Sequence, residues 1–253
     1  MRNYIKSECY RITHTKAIYL FTGVLAALAF LFHCALRYFT TGYSITSFSY
    51  SNLVSSPMIF AASGVLLAYY LYEDSYKNGS MKNTIASGIS RVKMFIGKCI
   101  VSTAAATCSM ILTITVWIIS AELLLPKAGP VVFQDLLMET LMVYLIAVAN
   151  LICGIVCMEI FQNIIAGLIV WSLIWFSIPK IFLYLAMRSS IFYPIALWLP
   201  QNFFSVNSLH VNMRECITIW DTASGMARCI LSGLIGIAVF SLAGVLAVRN
   251  KDL

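Results

Sequence analysis

Long apolar runs alternate with short polar ones along the whole of the 253-residue chain. A run of about 20 mostly apolar residues is the length an α-helix needs to cross a bilayer. On that pattern six spans are expected, over residues 17–36, 53–72, 99–125, 136–158, 164–179 and 229–248. Pro126, Gly129 and Pro130 predict a tight turn after the third span, and only Glu159 to Asn163 separate the fourth from the fifth. Ahead of the first span, residues 1–16 carry Arg2, Lys6, Arg11 and Lys16, with Ile5, Cys9 and Ile12 at i, i+4 and i+7. This spacing predicts a helix lying along the membrane interface, apolar side down. A signal peptide is the competing reading; the long amphipathic basic region and the lack of a small-x-small cleavage pattern count against it.

Between the fifth and sixth spans, Ile181–Ala186 and Ile191–Leu199 are apolar but too short to cross, and Pro179, Pro194 and Pro200 punctuate them. They are expected as short re-entrant or interfacial helices with Tyr184, Tyr193 and Trp198 at headgroup depth. A broken seventh span is the alternative, opposed by Arg188 near its middle. Residues 180–228 as a whole read as an external segment, with Gln201 to Arg228 an ordinary loop.

The most polar interruption lies over residues 73–98, EDSYKNGSMKNTIASGISRVKMFIGK. Ser80 is a candidate N-cap and Gly88 a candidate C′ stop, so Met81 to Ser87 are expected to form about two helical turns. Ser90 offers a second N-cap, for a helix running through Arg91, Lys93 and Lys98 into the third span. Met81 and Ile85 share one face at i, i+4 spacing. A cationic loop of this length also serves as a topological anchor, whatever else the protein does.

Composition changes the picture by removing soluble classes. Hydrophobic residues make up 60% of the chain and charged residues 11%, which places it among all-α integral membrane proteins. The net charge of +7 does not indicate nucleic acid, because the cations are spread through short connections. With the N-terminus inside, the inner segments hold Arg2, Lys6, Arg11, Lys16, Lys77, Lys82, Arg91, Lys93, Lys98, Arg249 and Lys251. The outer ones hold Arg37, Lys127, Lys180, Arg188, Arg214 and Arg228. That asymmetry puts both termini and residues 73–98 in the cytoplasm.

Candidate chemistry is sparse. Eight cysteines are present without a Cys-x-x-Cys pair; Cys153 and Cys157 share a helix face, but His14, His33 and His210 are far apart in sequence, so no metal site is expected. Whether Cys216 and Cys229 pair is left open. No Walker-type loop or nucleophile elbow occurs. Arg37, Glu122, Glu139, Glu159 and Lys180 fall near expected span ends, within snorkelling reach, and Asn150 is the main polar residue at mid-span, read as an interhelical hydrogen-bonding group. The small-residue rows Ala104/Cys108, Ala105/Ser109 and Ser232/Gly236 permit close helix approach.

The acidic residue closing the second span, Lys-Asn-Gly, Lys-Asn, the Ser-Gly-Ile-Ser-Arg stretch and the Lys opening the third span resemble the first cytoplasmic loop of ABC transporter type-2 permeases. The closest similarity is to small bacterial permeases for bacitracin and lantibiotic export or immunity. The N-terminal MRNYIKSECYRITHTKAIYL is similar to that family's amphipathic leading helix, and AVRNKDL to its basic tail. The resemblance implies a membrane subunit of an exporter, with short outer helices between the fifth and sixth spans, in the bacterial cell membrane. A separate ATP-binding subunit would hold ATP and Mg, and the permease would pair with an identical or related copy. It implies contact with the ATPase at Glu73, Lys77, Gly79, Met81, Lys82, Asn83, Ile85, Ser90 and Arg91. Met81 and Ile85 would insert, Gly79 and Gly88 shape the short helix, and the cations position it. A membrane scaffold or assembly factor, an ATP-independent transporter and an intramembrane enzyme are the other classes weighed.

Overall fold

The computed structural model describes residues 1–39, 42–77, 85, 88–206, 210–211 and 216–249. Helices form the fold apart from a two-residue antiparallel pairing, His210 with Ile217 and Val211 with Cys216. Five helices are long and apolar enough to cross a membrane, and a bent pair makes a sixth if counted as one span.

In chain order, α1 (Arg2–His14) leads into α2 (Lys16–Phe39). Helices α3 (Thr46–Val54) and α4 (Pro57–Lys77) form the bent pair, meeting at 70°. Pro57 opens α4, where its missing N–H costs nothing. Helix α5 (Arg91–Leu124) and helix α6 (Phe133–Phe161) follow, joined by the Pro126 to Pro130 turn. Gln162 takes a left-handed φ of 49°, and the Asn163 side chain then caps α7 (Ile164–Ser172) by accepting from the N–H groups of Ile165 and Ala166.

The sequence led us to expect a stop at Pro179, and the structure corrects this. A π-helical turn, Leu173–Ser177, carries the chain directly into α8 (Ile178–Arg188). The Ile178 N–H bonds to the Leu173 carbonyl, five residues back, so the widened turn meets Pro179 near the start of a fresh α segment, where its ring is tolerated. Ile181–Ala186 is therefore part of a continuous 25-residue apolar element, Ile164–Arg188, and not a separate short helix. Two short helices do follow, α9 (Phe192–Trp198) and α10 (Pro200–Val206). Within Gln201 to Arg228, expected as an external loop, residues 201–206 and 223–228 are helical. Asn202 is fully buried and donates to the carbonyls of Pro179 (2.7 Å) and Ala196 (3.1 Å), and the last helix, α11 (Ala223–Arg249), begins ahead of Cys229.

Helix α6 is the centre of the bundle. Every residue from Ala149 to Glu159 is buried, and two thirds of its most apolar window (67%) is covered, against 17% for α2 and α11. An apolar helix surface is stable against lipid, so what favours the central place for α6 is its polar set, Glu139, Asn150 and Glu159, all of them buried. Helices α4, α7 and α11 surround it closely because small residues line the seams: a Cβ at Gly154 would lie 2.5 Å from Val65, and one at Gly236 2.8 Å from Ala149. The Ser232/Gly236 row therefore serves packing against α6 at Gly236.

Candidate functional site

The connection between α4 and α5 is anchored at both of its roots. On the α4 side, the Leu71 carbonyl accepts a hydrogen bond from Arg11 of α1 at 3.2 Å. The Arg11 guanidinium also pairs with Glu8 at 2.7 Å and stands 5.0 Å from the centre of the Tyr72 ring. On the α5 side, Lys98 Nζ lies 5.2 Å from the same ring and 2.6 Å from Glu159 of α6. Both side chains of this ion pair are 5% exposed. The Ser102 hydroxyl donates to the Tyr72 phenol oxygen at 3.4 Å. Four helices, α1, α4, α5 and α6, thus meet in one polar knot at one end of the bundle.

Helix α1 seats itself beside this knot through Tyr4. Its ring occupies the space over Gly97, where a Cβ would sit 2.6 Å from a ring carbon. Burial, and after it the nearby Glu8 carboxylate, pushes the Tyr4 phenol well above its ordinary range. The buried face of α1 is therefore Tyr4 and Ile12, with Ile5 half-buried, whereas Cys9 is exposed. The expected Ile5, Cys9, Ile12 stripe is rotated by the need to place Tyr4 on Gly97.

The residues expected to contact an ATPase fall at and between these roots. Glu73 lies in α4, half-buried. Lys77 is the last residue of that helix. Gly79, Ser80, Met81, Lys82 and Asn83 lie outside the described residues. Ile85 is helical and half-buried. Gly88 has φ 86° and donates its N–H to the Ile85 carbonyl at 2.9 Å, the left-handed geometry a helix stop requires. Ser90 is the N-cap of α5 by backbone conformation and its carbonyl accepts from Met94, but its hydroxyl makes no capping bond. Arg91 opens α5, half-buried.

Two acidic groups assigned to snorkelling are inside the protein. Glu159 is the buried partner of Lys98. Glu139 is 1% exposed, and neither of its carboxyl oxygens has a hydrogen-bond partner among the described residues. Position near a helix end does not decide exposure when the helix is the central one, as α6 is. Glu122 does lie at an edge, accepting from the Tyr50 hydroxyl at 2.8 Å and pairing with Lys127. Asn150 joins helices as its type suggests, accepting from Trp171 Nε1 at 2.5 Å.

Sequence reasoning missed a second buried network. His33 of α2 is fully buried; its Nε2 lies 2.6 Å from the Ser49 hydroxyl of α3 and its Nδ1 2.8 Å from the Ser120 hydroxyl of α5. Phe32 and Trp117 stack on each other and meet the imidazole edge-on. Both ring nitrogens have hydroxyl partners and the side chain is fully buried, so the arrangement ties three helices together. The separations of 16 and 87 residues left no local signal. Cys153 and Cys157 are both buried in α6, and no group of three or more His, Cys, Asp or Glu suited to a metal occurs among the described residues. Cys229 is a buried free thiol.

Compared with known proteins, the chain matches no family model, no curated protein and no solved structure.

Proposed function

We propose that this chain is the membrane-spanning permease subunit of an ABC exporter. It would cross the membrane six times, with α3 and α4 together as the second crossing. Helix α1 would lie at the inner surface, and α9 and α10 on the outer side. Both termini would be cytoplasmic, in a bacterial cell membrane. A separate subunit would hold ATP and Mg and hydrolyse the nucleotide, and a second permease, identical or related, would complete the channel. The favoured cargo is an amphipathic antimicrobial peptide of lantibiotic or bacitracin type, handled for resistance or immunity.

The observation that carries this reading is the polar knot at the roots of the α4–α5 connection. A force applied between Lys77 and Arg91 has rigid routes inward. One runs through Lys98 to Glu159 and the central helix, the other through Leu71 to Arg11 and α1. Such routes suit a protein driven mechanically from the cytoplasm, with Glu73, Lys77, Gly79, Met81, Lys82, Asn83, Ile85, Ser90 and Arg91 at the contact.

The test is a pull-down of the tagged full-length protein in mild detergent, with mass identification of its partners and an ATPase assay. An ATP-binding subunit is expected to co-purify, with substrate-stimulated hydrolysis. Gly79→Pro and Ile85→Glu are expected to leave insertion intact and to abolish that stimulation. No ATP-binding partner in several detergents, or unchanged export by both variants, would overturn the proposal in favour of a scaffold or an ATP-independent transporter.

A further inference from the structure

Beside the middle of α11, a cavity of about 530 Å³ opens between the π turn Leu173–Ser177, the start of α8, α9 and α11. Its wall is almost wholly apolar, formed by residues such as Pro194, Ile195, Trp198, Ile235 and Val239, and no carboxylate lines it. Two residues of the wall carry polar groups, Trp175 and Ser232, but Trp175 Nε1 and the Ser232 hydroxyl are themselves buried behind the apolar lining. Trp175 is itself only 6% exposed. Arg228 stands at the rim, one helical turn before Ser232, with its guanidinium carbon 5.9 Å from the centre of the Trp198 ring. Among the described residues no acidic group pairs with Arg228.

We propose that this cavity binds one anionic phospholipid of the surrounding bilayer. The volume is in the range of about 300–1,000 Å³ typical of small-molecule sites. The apolar wall takes an acyl chain, and Arg228 at the rim takes the phosphate. Free phosphate would satisfy the rim but leave the wall empty. A second copy of this chain, packed two-fold about the cavity, would bring Arg228 toward its own symmetry mate, a like-charge contact. A zwitterionic lipid fills the wall equally well but leaves Arg228 without a net negative partner.

The experiment uses the full-length protein, delipidated in detergent and titrated with phosphatidylglycerol or phosphatidylcholine of matched chains, with bound lipid counted by native mass spectrometry. Phosphatidylglycerol is expected to be retained preferentially, one per chain. Arg228→Gln should reduce that preference about five-fold, the scale of one basic group at a lipid surface, while phosphatidylcholine retention stays as it was. Val239→Trp, placed to fill the cavity from a half-exposed position, should lower the retention of both lipids; Arg228→Gln decides alone if that variant does not accumulate. Equal retention of the two lipids by the unaltered protein, no effect of Arg228→Gln, displacement of the lipid by inorganic phosphate, or a dimer dispersed by Val239→Trp would each overturn the proposal. None of these outcomes depends on an ATPase partner, so the site and the export reading fail separately.

Discussion

Lys98 and Glu159 lie 61 residues apart in the chain and 2.6 Å apart in space. Moving either charge out of water costs several kcal/mol, and mutual attraction repays this only while both remain. Lys98→Met or Glu159→Gln alone is therefore expected to destabilise the protein by about 3–5 kcal/mol, read as a large drop in the unfolding temperature in detergent. The double replacement Lys98→Met with Glu159→Leu should recover most of that loss, because it leaves no unpaired charge in the protein; a double variant as unstable as the singles would show that the pair does more than satisfy itself. Glu139 presents the opposite case. A buried carboxyl without a partner costs free energy and offsets nothing, so Glu139→Leu is expected to keep or raise the unfolding temperature. A clear loss of stability in Glu139→Leu would mean that the carboxyl is partnered in the membrane.

At the scale of elements, the docking of α1 depends on one aromatic ring over one glycine. Gly97→Ala would place a methyl within 2.6 Å of the Tyr4 ring, and is expected to free α1, seen as faster tumbling of a probe attached to the exposed Cys9. Combining it with Tyr4→Ala should restore room but not the buried contact. The Tyr4 phenol adds a pH dependence with a definite sign. Its folded-state pKa is raised above the ordinary value of about 10, so its contribution is fully present below that pH and is lost as the pH rises above it. The Cys9 probe should therefore loosen above about pH 10 in the unaltered protein and respond less in Tyr4→Phe, where nothing ionises. The apolar periodicity made the existence of α1, α2, α5, α6 and α11 legible, because each is a long stretch whose residues favour helix whatever surrounds them. It did not reveal that Tyr4 would replace Cys9 on the buried face of α1, since that depends on Gly97 in another helix. It also read Pro179 as a stop, because the π turn that accommodates it is set by backbone register and leaves no mark in residue type. Residue order led to an expected partner contact in the α4–α5 connection, whereas the knot that roots this connection joins residues from four separate segments and is visible only when the helices are assembled.

At the scale of the whole molecule, the bent pair decides the topology. Helix α3 begins at one end of the bundle, where the Thr46 and Ser47 N–H groups donate to the carbonyls of Pro126 (3.1 Å) and Ala128 (3.3 Å) and the Ser47 hydroxyl accepts from Val131. Helix α4 finishes at the other end, with Leu71 on Arg11 and Tyr72 beside Lys98. Together they travel from the Pro126 turn to the knot, the same course that α5 takes in reverse between Lys98 and Leu124. The sharp 70° bend at Ser55 and Ser56 leaves few backbone groups open, as a crossing segment would require: the Ser55 N–H donates to Ser51, Ser56 to Leu53 and Ile59 back to Ser56. Parity turns this into a measurement. If α3 and α4 together cross, six crossings return the C-terminus to the side of the N-terminus; if they do not, five crossings separate the two. Peptide tags placed at the N- and C-termini and probed with protease in sealed, oriented vesicles should be shielded or cleaved together. A single cysteine at Lys127, 76% exposed by its side chain in the turn between α5 and α6, introduced on a cysteine-free background, should react from the face opposite to both tags. Tags cleaved from opposite faces would remove the sixth crossing, and with it the common side for α1 and the α4–α5 connection on which a cytoplasmic drive depends.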